Sequence, residues 1–179
     1  MFVARRASSY ESFPRGSSGA QWCLPFIIDG DQMGRLAGIA RREKKRAPME
    51  TLEQAEVSDQ TGVAKDFRGK PGNRTVTVIS TRAWRKVCAE LGQDIPWTIR
   101  RANLLVDDID LPRSVGQIIQ IGEVRLEVTM EVDPCFRMEE QVKGLKAALT
   151  PDWRGGVGCT VLRNGAVSIG NPVTIIDAD

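Results

Sequence analysis

The sequence predicts a mainly β-sheet protein, a closed barrel or a sandwich, with two or three short helices. After residue 74, short stretches of β-branched and apolar residues recur with period two. Only two stretches place their apolar residues at helical spacing, and turn residues separate the segments. Because open sheets leave unpaired edges, closure into a barrel is a usual arrangement for many short strands.

A strand and a helix are predicted next to each other in residues 75–91. Residues 75–79 read Thr-Val-Thr-Val-Ile, and this alternation is typical of a strand. The period then changes to a helical one, with Ser80 or Thr81 as the N-cap and Gly92 as the stop. The apolar positions of this helix are Trp84, Val87, Cys88 and Leu91. Cys88 is therefore predicted to be a core residue.

The clearest strand is predicted over residues 124–132, where apolar and polar side chains alternate. Such alternation indicates one buried face and one wet face. Pro134 cannot donate to a sheet ladder, so we expect the strand to end beside it. Cys135 then lies just beyond a strand end, a position where scaffolds display functional side chains.

A second helix and a hairpin are predicted in the C-terminal part of the chain. Apolar residues at helical spacing predict a helix over residues 139–149, which Pro151 ends. Asn164-Gly165 lies between two short apolar segments, and this dipeptide is the strongest short hairpin signal. We therefore expect those two segments to pair with each other.

Length and composition predict one domain with an extension. The chain has 179 residues, and its 41% hydrophobic and 27% charged residues are ordinary for a globular protein. Serine, glycine and proline are frequent near the beginning, which predicts an N-terminal extension over residues 1–33 that is at least partly disordered. Residues 34–179 are predicted to form a single domain. The basic run at residues 41–46 is interpreted as a solvated loop.

Charge and residue usage exclude several classes of function. A net charge of +2 gives no broad reason to bind nucleic acid, and no apolar run predicts a membrane span or a secretion signal, so a cytoplasmic protein is expected. The chain has no histidine, and its four cysteines lack Cys-x-x-Cys spacing. Zinc sites, histidine-based hydrolase triads and iron–sulfur clusters are therefore disfavoured.

Cys135 is the first candidate functional residue. Because a cation such as Arg137 nearby in sequence favours the thiolate, the pKa of this thiol is expected to be lowered. A thiolate is the form that attacks electrophiles or ligates soft metals. A half-buried cysteine that only fills space is an equally consistent interpretation of the sequence alone.

Arg101 and Asn103 form the second candidate group, directly before an apolar strand. Adjacent strand residues point to opposite faces, so only one of Arg100 and Arg101 is expected to enter a given pocket. A guanidinium fork suits phosphate, and an amide both donates and accepts, as a pterin edge requires. A surface ion pair with a neighbouring aspartate is the plain alternative.

A third group of candidates follows Gly62. Glycines permit close approach of the backbone to a ligand, while Lys65, Arg68 and Arg74 are available to gather around an anion. Solvated surface cations are again the plain alternative.

The order of these features resembles the MOSC family, named for the C-terminal domain of molybdenum cofactor sulfurase. The similarity runs from about Gly34 to Val173. In chain order it comprises Gly62 to Asp66, Arg74-Thr75-Val76-Thr77-Val78, Arg101-Ala102-Asn103, Gly116, Ile121-Gly122-Glu123-Val124, Pro134-Cys135, Trp153-Arg154-Gly155-Gly156-Val157, Asn164-Gly165 and Gly170-Asn171-Pro172-Val173. Each element is short and common, but the colinear series is specific.

The resemblance implies a closed β-barrel related to that of pyruvate kinase, associated with the molybdenum cofactor, molybdopterin. It further implies that Cys135 ligates molybdenum or carries a persulfide. Arg101 and Asn103 match the Arg-x-Asn motif of members that bind the pterin, and are expected to contact the cofactor phosphate and the pterin edge. Arg74 and Asp66 are further implied contacts.

The sequence departs from the family pattern at three points. Lys65 stands where the family usually has a glycine before its aspartate, and Asn171 replaces a closing aspartate, which we interpret as a turn substitution. The sequence contains no pyridoxal-phosphate domain, so a complete sulfurase is not expected.

Three functions follow as hypotheses. By similarity to relatives such as the mitochondrial amidoxime reducing component, the first is reduction of N-hydroxylated compounds, with electrons from a separate flavin or iron–sulfur protein. The second is a sulfur or molybdenum-cofactor carrier that uses a Cys135 persulfide without redox catalysis. The third is a non-enzymatic barrel that binds a phosphorylated ligand or nucleic acid through its arginines and Lys65.

Overall fold

The structure, a computed structural model, describes residues 33–176. The predicted N-terminal extension lies outside the described residues, except for Met33, at which β1 begins. The strands within 33–176 are β1 Met33–Arg41, β2 Glu50–Leu52, β3 Gln54–Ser58, β4 Gly62–Val63, β5 Val76–Ser80, β6 Leu104–Asp107, β7 Ile118–Ile121, β8 Val124–Glu131, β9 Val157–Arg163, β10 Gly165–Ser168 and β11 Pro172–Ile176. The helices are α1 Thr81–Leu91, α2 Phe136–Gln141 and α3 Leu145–Leu149, with 3-10 helices at Trp97–Arg100 and Pro151–Trp153.

Seven of the strands close into a barrel, which confirms the predicted fold class. Their order around the barrel is β11-β7-β8-β9-β5-β6-β1, and β1 pairs with β11 to close it. All neighbours are antiparallel except β5 and β6, which are parallel and are connected through α1. Closure leaves few unpaired edges, and β2 adds to β1 outside the ring.

The predicted hairpin around Asn164-Gly165 is wrong, although both flanking strands exist. β9 belongs to the barrel, whereas β10 pairs with β3 in a separate three-stranded sheet completed by β4. Neither Asn164 nor Gly165 has a positive φ, so the tight turn that this dipeptide favours does not form. Instead, the Asn164 side chain forms two hydrogen bonds with Asp59. Its Oδ1 accepts from the Asp59 backbone N–H, and its Nδ2 donates to the Asp59 carboxylate.

The helix after β5 has the predicted ends. The Ser80 side chain accepts a hydrogen bond from the Ala83 N–H at the N-terminus, and Gly92 adopts φ 63° just beyond the C-terminus. Cys88 is half-buried and packs against the second of two apolar clusters, which lies between the helices and the outer face of the barrel. The first cluster fills the barrel interior.

The region around Cys135 differs from its prediction in two details. A register shift between Val128 and Met130 breaks the alternation of β8, and Met130 is 39% exposed. The single helix expected over 139–149 is two helices, α2 and α3, because Gly144 adopts a positive φ between them.

Over residues 33–176, no helix has both the length and the apolar character needed to cross a membrane.

Candidate functional site

Cys135 lies on the surface where β8 leads into α2. Pro134 before it is buried, and Cys135 itself is the exposed N-cap residue of α2. Its backbone oxygen accepts a hydrogen bond from the Met138 N–H at 2.9 Å, while its side chain makes no capping bond. The fold thus fixes the backbone of Cys135 and leaves its sulfur available.

The surroundings of the Cys135 sulfur favour the thiolate. A guanidinium nitrogen of Arg101, Nη2, lies 3.6 Å from Sγ. Partial burial opposes ionisation, but the Arg137 backbone N–H and the charges of Arg101 and Arg100 outweigh it, so the pKa of Cys135 is lowered from its ordinary value. A lowered pKa and an exposed sulfur are the two properties of a reactive cysteine.

Arg101 reaches Cys135 from an unusual backbone position. It follows the 3-10 helix Trp97–Arg100 with φ 60° and ψ 35°, a left-handed conformation that costs a non-glycine residue about 1 kcal/mol. Only Arg101 of the two adjacent arginines lines the cavity, as expected, but the reason is this helix end rather than strand alternation. The Nε of Arg101 is buried and finds no hydrogen-bond partner among residues 33–176. A buried donor without an acceptor is costly, and a bound anion would satisfy it.

A cavity of about 880 Å³ opens beside Cys135 and Arg101. A second chamber of about 280 Å³ shares Arg42, Met49 and Arg101 with it. The first chamber is lined by Arg42, Arg46, Ala47, Pro48, Met49, Thr98, Ile99, Arg101, Cys135, Phe136, Arg137, Glu140 and Gln141. The second is lined by Arg42, Met49, Asp66, Arg68, Arg74, Thr75, Thr77, Arg101 and Asn103. The thiol and the arginines therefore line two adjoining spaces that have Arg42, Met49 and Arg101 in common.

The second chamber is strongly positive. Four arginines line it, namely Arg42, Arg68, Arg74 and Arg101. Its one carboxylate, Asp66, accepts hydrogen bonds from the backbone N–H groups of Arg42 and Arg68 at 2.9 and 3.2 Å. Burial and then repulsion from neighbouring arginines lower the pKa of Arg74, and the same causes lower that of Arg42. Four guanidinium groups against one carboxylate give the chamber a positive potential, which favours an anion over a cation.

Asn103 contributes mainly to the framework of this chamber. Its Oδ1 accepts from the Thr77 N–H at 3.1 Å, and its Nδ2 donates to the Ala40 oxygen at 3.3 Å. The amide is buried and joins β5 to the end of β1, which leaves one Nδ2 hydrogen and one Oδ1 lone pair for a ligand. Lys65, by contrast, is exposed at φ 63° and lines neither chamber.

Sequence reasoning missed Arg42, Met49 and Phe136. The interpretation of residues 41–46 as a solvated loop is wrong for Arg42, which is only 3% exposed. Arg42 follows the last residue of β1. Its backbone N–H donates a hydrogen bond to the Asp66 carboxylate, and its backbone oxygen accepts one from the Phe67 N–H. The sequence did not distinguish Arg42 from the rest of the basic run, whose residues from Glu43 to Arg46 are exposed as expected.

Comparisons with known proteins bear on the family and the fold of this chain. The family model described as MOSC domain matches residues 40–174. The YUAD protein from Bacillus subtilis is similar in structure, with a TM-score of 0.67, 16% identity, and coverage of 82% of this chain and 97% of that one. YiiM from Escherichia coli superposes with a TM-score of 0.60 and 14% identity over 81% of this chain and 71% of its own. No curated protein matches the sequence.

At these identities the two solved structures show the fold alone. The family match covers most of the chain and includes every residue that lines the two chambers. On that match, the chain belongs to the MOSC domain family.

Proposed function

We propose that this chain binds the molybdenum cofactor in the two adjoining chambers, with the Cys135 thiolate as the protein ligand of molybdenum, and that it reduces N-hydroxylated compounds. The MOSC family is associated with this cofactor. One observation carries the proposal: the exposed sulfur of Cys135 lies 3.6 Å from Arg101, whose buried Nε lacks an acceptor, at the junction of the two chambers.

The residues present fit the cofactor. Soft thiolate sulfur suits molybdenum, and guanidinium forks suit a phosphate. Arg101, Arg74 and Arg68 would hold the phosphate in the smaller chamber, and Asp66 fixes the backbone on which Arg68 sits. The unsatisfied Nε of Arg101 needs an acceptor that a phosphate supplies. The remaining amide capacity of Asn103 is available to a pterin edge, whereas Lys65 has no contact with either chamber.

When bound, the cofactor supplies a two-electron redox centre. Two electrons and two protons cleave the N–O bond of a hydroxylamine-type compound and release the amine and water. We further propose that the electrons come from a separate flavin or iron–sulfur protein and that the reaction takes place in the cytoplasm. The chain's own residues would favour the thiolate form of Cys135, orient anionic groups through the arginines, and offer apolar walls at Met49, Ile99 and Phe136 to the substrate.

The test is the full chain purified from a host that makes the cofactor. We expect molybdenum and pterin to copurify with it, as measured by metal analysis and pterin fluorescence, and reduction of an N-hydroxylated model compound with an artificial donor. Cys135→Ser should lose this activity and most of its molybdenum, while Cys88→Ser, the same substitution at a cysteine that lines neither chamber, keeps both. Full molybdenum content and activity in Cys135→Ser would refute the assignment.

A second candidate function is a carrier that transfers sulfur from a Cys135 persulfide. The exposed position of Cys135, beside the 66% exposed Phe136, favours it because a partner protein could reach the sulfur directly. Cyanide-labile sulfur on Cys135 without copurifying molybdenum would select this function over the reductase. A phosphate-binding barrel without thiol chemistry would keep its ligand in Cys135→Ser.

A further inference from the structure

The first chamber has an apolar side. Phe136, the first residue of α2, lines this chamber, and 66% of its surface is exposed, the largest exposed fraction among the large apolar side chains of residues 33–176. Further apolar residues line the same space, namely Ala47, Pro48, Met49 and Ile99. The volume of about 880 Å³ lies in the range of pockets that hold small organic molecules. Exposed apolar surface gathered in a cavity is typical of a site for an apolar ligand.

Two arginines of this chamber have no acidic partner in the described part of the chain. Arg46 and Arg137 line the first chamber and not the second. Within residues 33–176, neither guanidinium forms an ion pair or a hydrogen bond. Arg41, by contrast, pairs with Glu50 at 3.0 Å. The two guanidinium groups of the first chamber are therefore available to an anionic ligand.

The charge balance of the first chamber favours a ligand with one negative charge. Arg42 and Arg101 also line the second chamber, where the cofactor phosphate is proposed to lie. Arg46 and Arg137 remain for a different anionic group. One carboxylate, Glu140, lines the chamber as well, and it forms no ion pair with either arginine. Two cations and one carboxylate leave a single positive charge to be matched.

The apolar surface and one of these arginines lie directly after the cysteine, since Phe136 and Arg137 follow Cys135 and all three line the chamber. We propose that the first chamber selects N-hydroxylated compounds that carry an aromatic ring and a carboxylate, with Phe136 contacting the ring and Arg46 and Arg137 binding the carboxylate. Aromatic rings pack favourably against each other, and a guanidinium fork matches a carboxylate. The reaction rests on the proposed function, whereas the binding preference can be measured without it.

The experiment measures the binding of two probes to the full chain by isothermal titration calorimetry. The probes are 4-carbamoylbenzoate and benzamide, which are the amide products of the corresponding hydroxamic acids and differ only in the carboxylate. We expect 4-carbamoylbenzoate to bind at least about tenfold more tightly, and high salt to remove most of this advantage. Neither probe has an N–O bond to cleave, so the measurement does not depend on reductase activity.

A double variant tests the two arginines. Arg46→Gln combined with Arg137→Gln should weaken the binding of 4-carbamoylbenzoate about tenfold and leave that of benzamide unchanged, because only the first probe has a carboxylate. The matched control combines Arg125→Gln with Arg163→Gln. It removes the same charge from two exposed arginines that line neither chamber, and it should keep the original affinities.

The aromatic contact is tested by a single variant. Phe136→Ala should weaken the binding of both probes about fivefold, because both present the same ring. Leu162→Ala removes another exposed apolar side chain, 53% exposed and outside both chambers, and should weaken neither. Circular dichroism establishes that each variant is folded. If the double arginine variant does not fold, the salt dependence of the original chain decides: an advantage of 4-carbamoylbenzoate that persists at high salt contradicts the proposal.

Equal affinity of the original chain for the two probes, or no binding of either, would overturn the proposal. An equal loss in the two double variants would do so as well, since it would indicate a general charge effect. A chain that contains molybdenum and reduces N-hydroxylated compounds but shows no preference for the carboxylate would contradict this inference alone. A clear preference in a chain that takes up no molybdenum would support the binding site and contradict the proposed reductase.

Discussion

Cys135 and Cys159 are the same residue in opposite surroundings. Cys159 lies in β9 within the barrel interior with no exposed surface, and burial alone raises the pKa of its thiol well above the ordinary value. Cys135 lies outside the barrel, exposed, and hydrogen bonding and arginine charges lower its pKa. The two sites differ in their nearby hydrogen-bond donors and cations and not in the thiol group itself. These surroundings distinguish a reactive cysteine from one that only fills space in the core.

The largest expected effect is a difference in reactivity. In the native chain at pH 7, we expect iodoacetamide to modify Cys135 at least about a thousandfold faster than Cys159, because Cys159 reacts only when the barrel opens. Peptide mass spectrometry of timed samples measures both rates. Modification of the two residues at similar rates would remove the basis of the comparison.

Substitution should affect the free energy of unfolding more at Cys159 than at Cys135, the reverse of the order expected for reactivity. Cys159→Ser buries a hydroxyl in an apolar cluster and should lower the free energy of unfolding by about 2 kcal/mol. Cys135→Ser, at an exposed position, should change it by less than about 0.5 kcal/mol. Urea denaturation followed by circular dichroism provides both values, and a larger loss for Cys135→Ser would assign that residue a structural role.

Removing the cation beside the sulfur should make Cys135 more like an ordinary cysteine. In Arg101→Gln we expect the pKa of Cys135 to rise and its alkylation at pH 7 to slow roughly tenfold. Arg113→Gln removes an exposed arginine that pairs with Asp152 and serves as the control. An equal change in both variants would indicate a general charge effect and not a local one.

The smallest effect is the pH dependence of stability, and the two thiols contribute with opposite signs. The folded-state pKa of Cys159 is raised, so its contribution is present below the unfolded value of 9.0 and is lost as the pH rises above it, by at most about 1.4 kcal/mol per unit. The folded-state pKa of Cys135 is lowered, so its contribution is present above 9.0 and is lost as the pH falls through its folded pKa.

Urea midpoints between pH 7 and pH 10 measure this linkage. Cys159→Ala should lose less stability than the original chain above pH 9, whereas Cys135→Ser should fail to gain stability as the pH rises toward 9. Parallel curves for the three proteins would show that neither thiol is coupled to folding.

Much of the fold could be predicted because local patterns and tertiary contacts agree. The alternation of β8 from Val124 to Val128, the cap at Ser80 and the stop at Gly92 each depend on neighbours a few residues away, and each appears in the structure. The Asn164-Gly165 hairpin could not be predicted correctly, because β10 pairs with β3, more than a hundred residues earlier in the chain. A long-range strand pairing there overrides a local turn preference.

Most of the candidate residues chosen from the sequence line the two chambers, but the sequence did not show which further residues line them or which candidates lie outside. Cys135 and Arg101 share a cavity, and Arg68, Arg74, Asp66 and Asn103 line its second chamber. Arg42 was not identified, because nothing in the local sequence distinguishes a buried arginine from an exposed one. Lys65 looked equivalent to its neighbours in the sequence, yet it lines neither chamber.

The sequence by itself determined the β-rich class, the ends of α1, and the exclusion of histidine chemistry, since these follow from composition and short-range periodicity. Only the tertiary structure decided which thiol is available and which arginines meet it. Barrel closure brings β1, β5 and β6 together with the segment after β8, so that residues about 30 to 90 positions apart share one cavity. Electrostatic coupling depends on distances through space and on burial, and neither quantity is encoded in the order of residues along a strand.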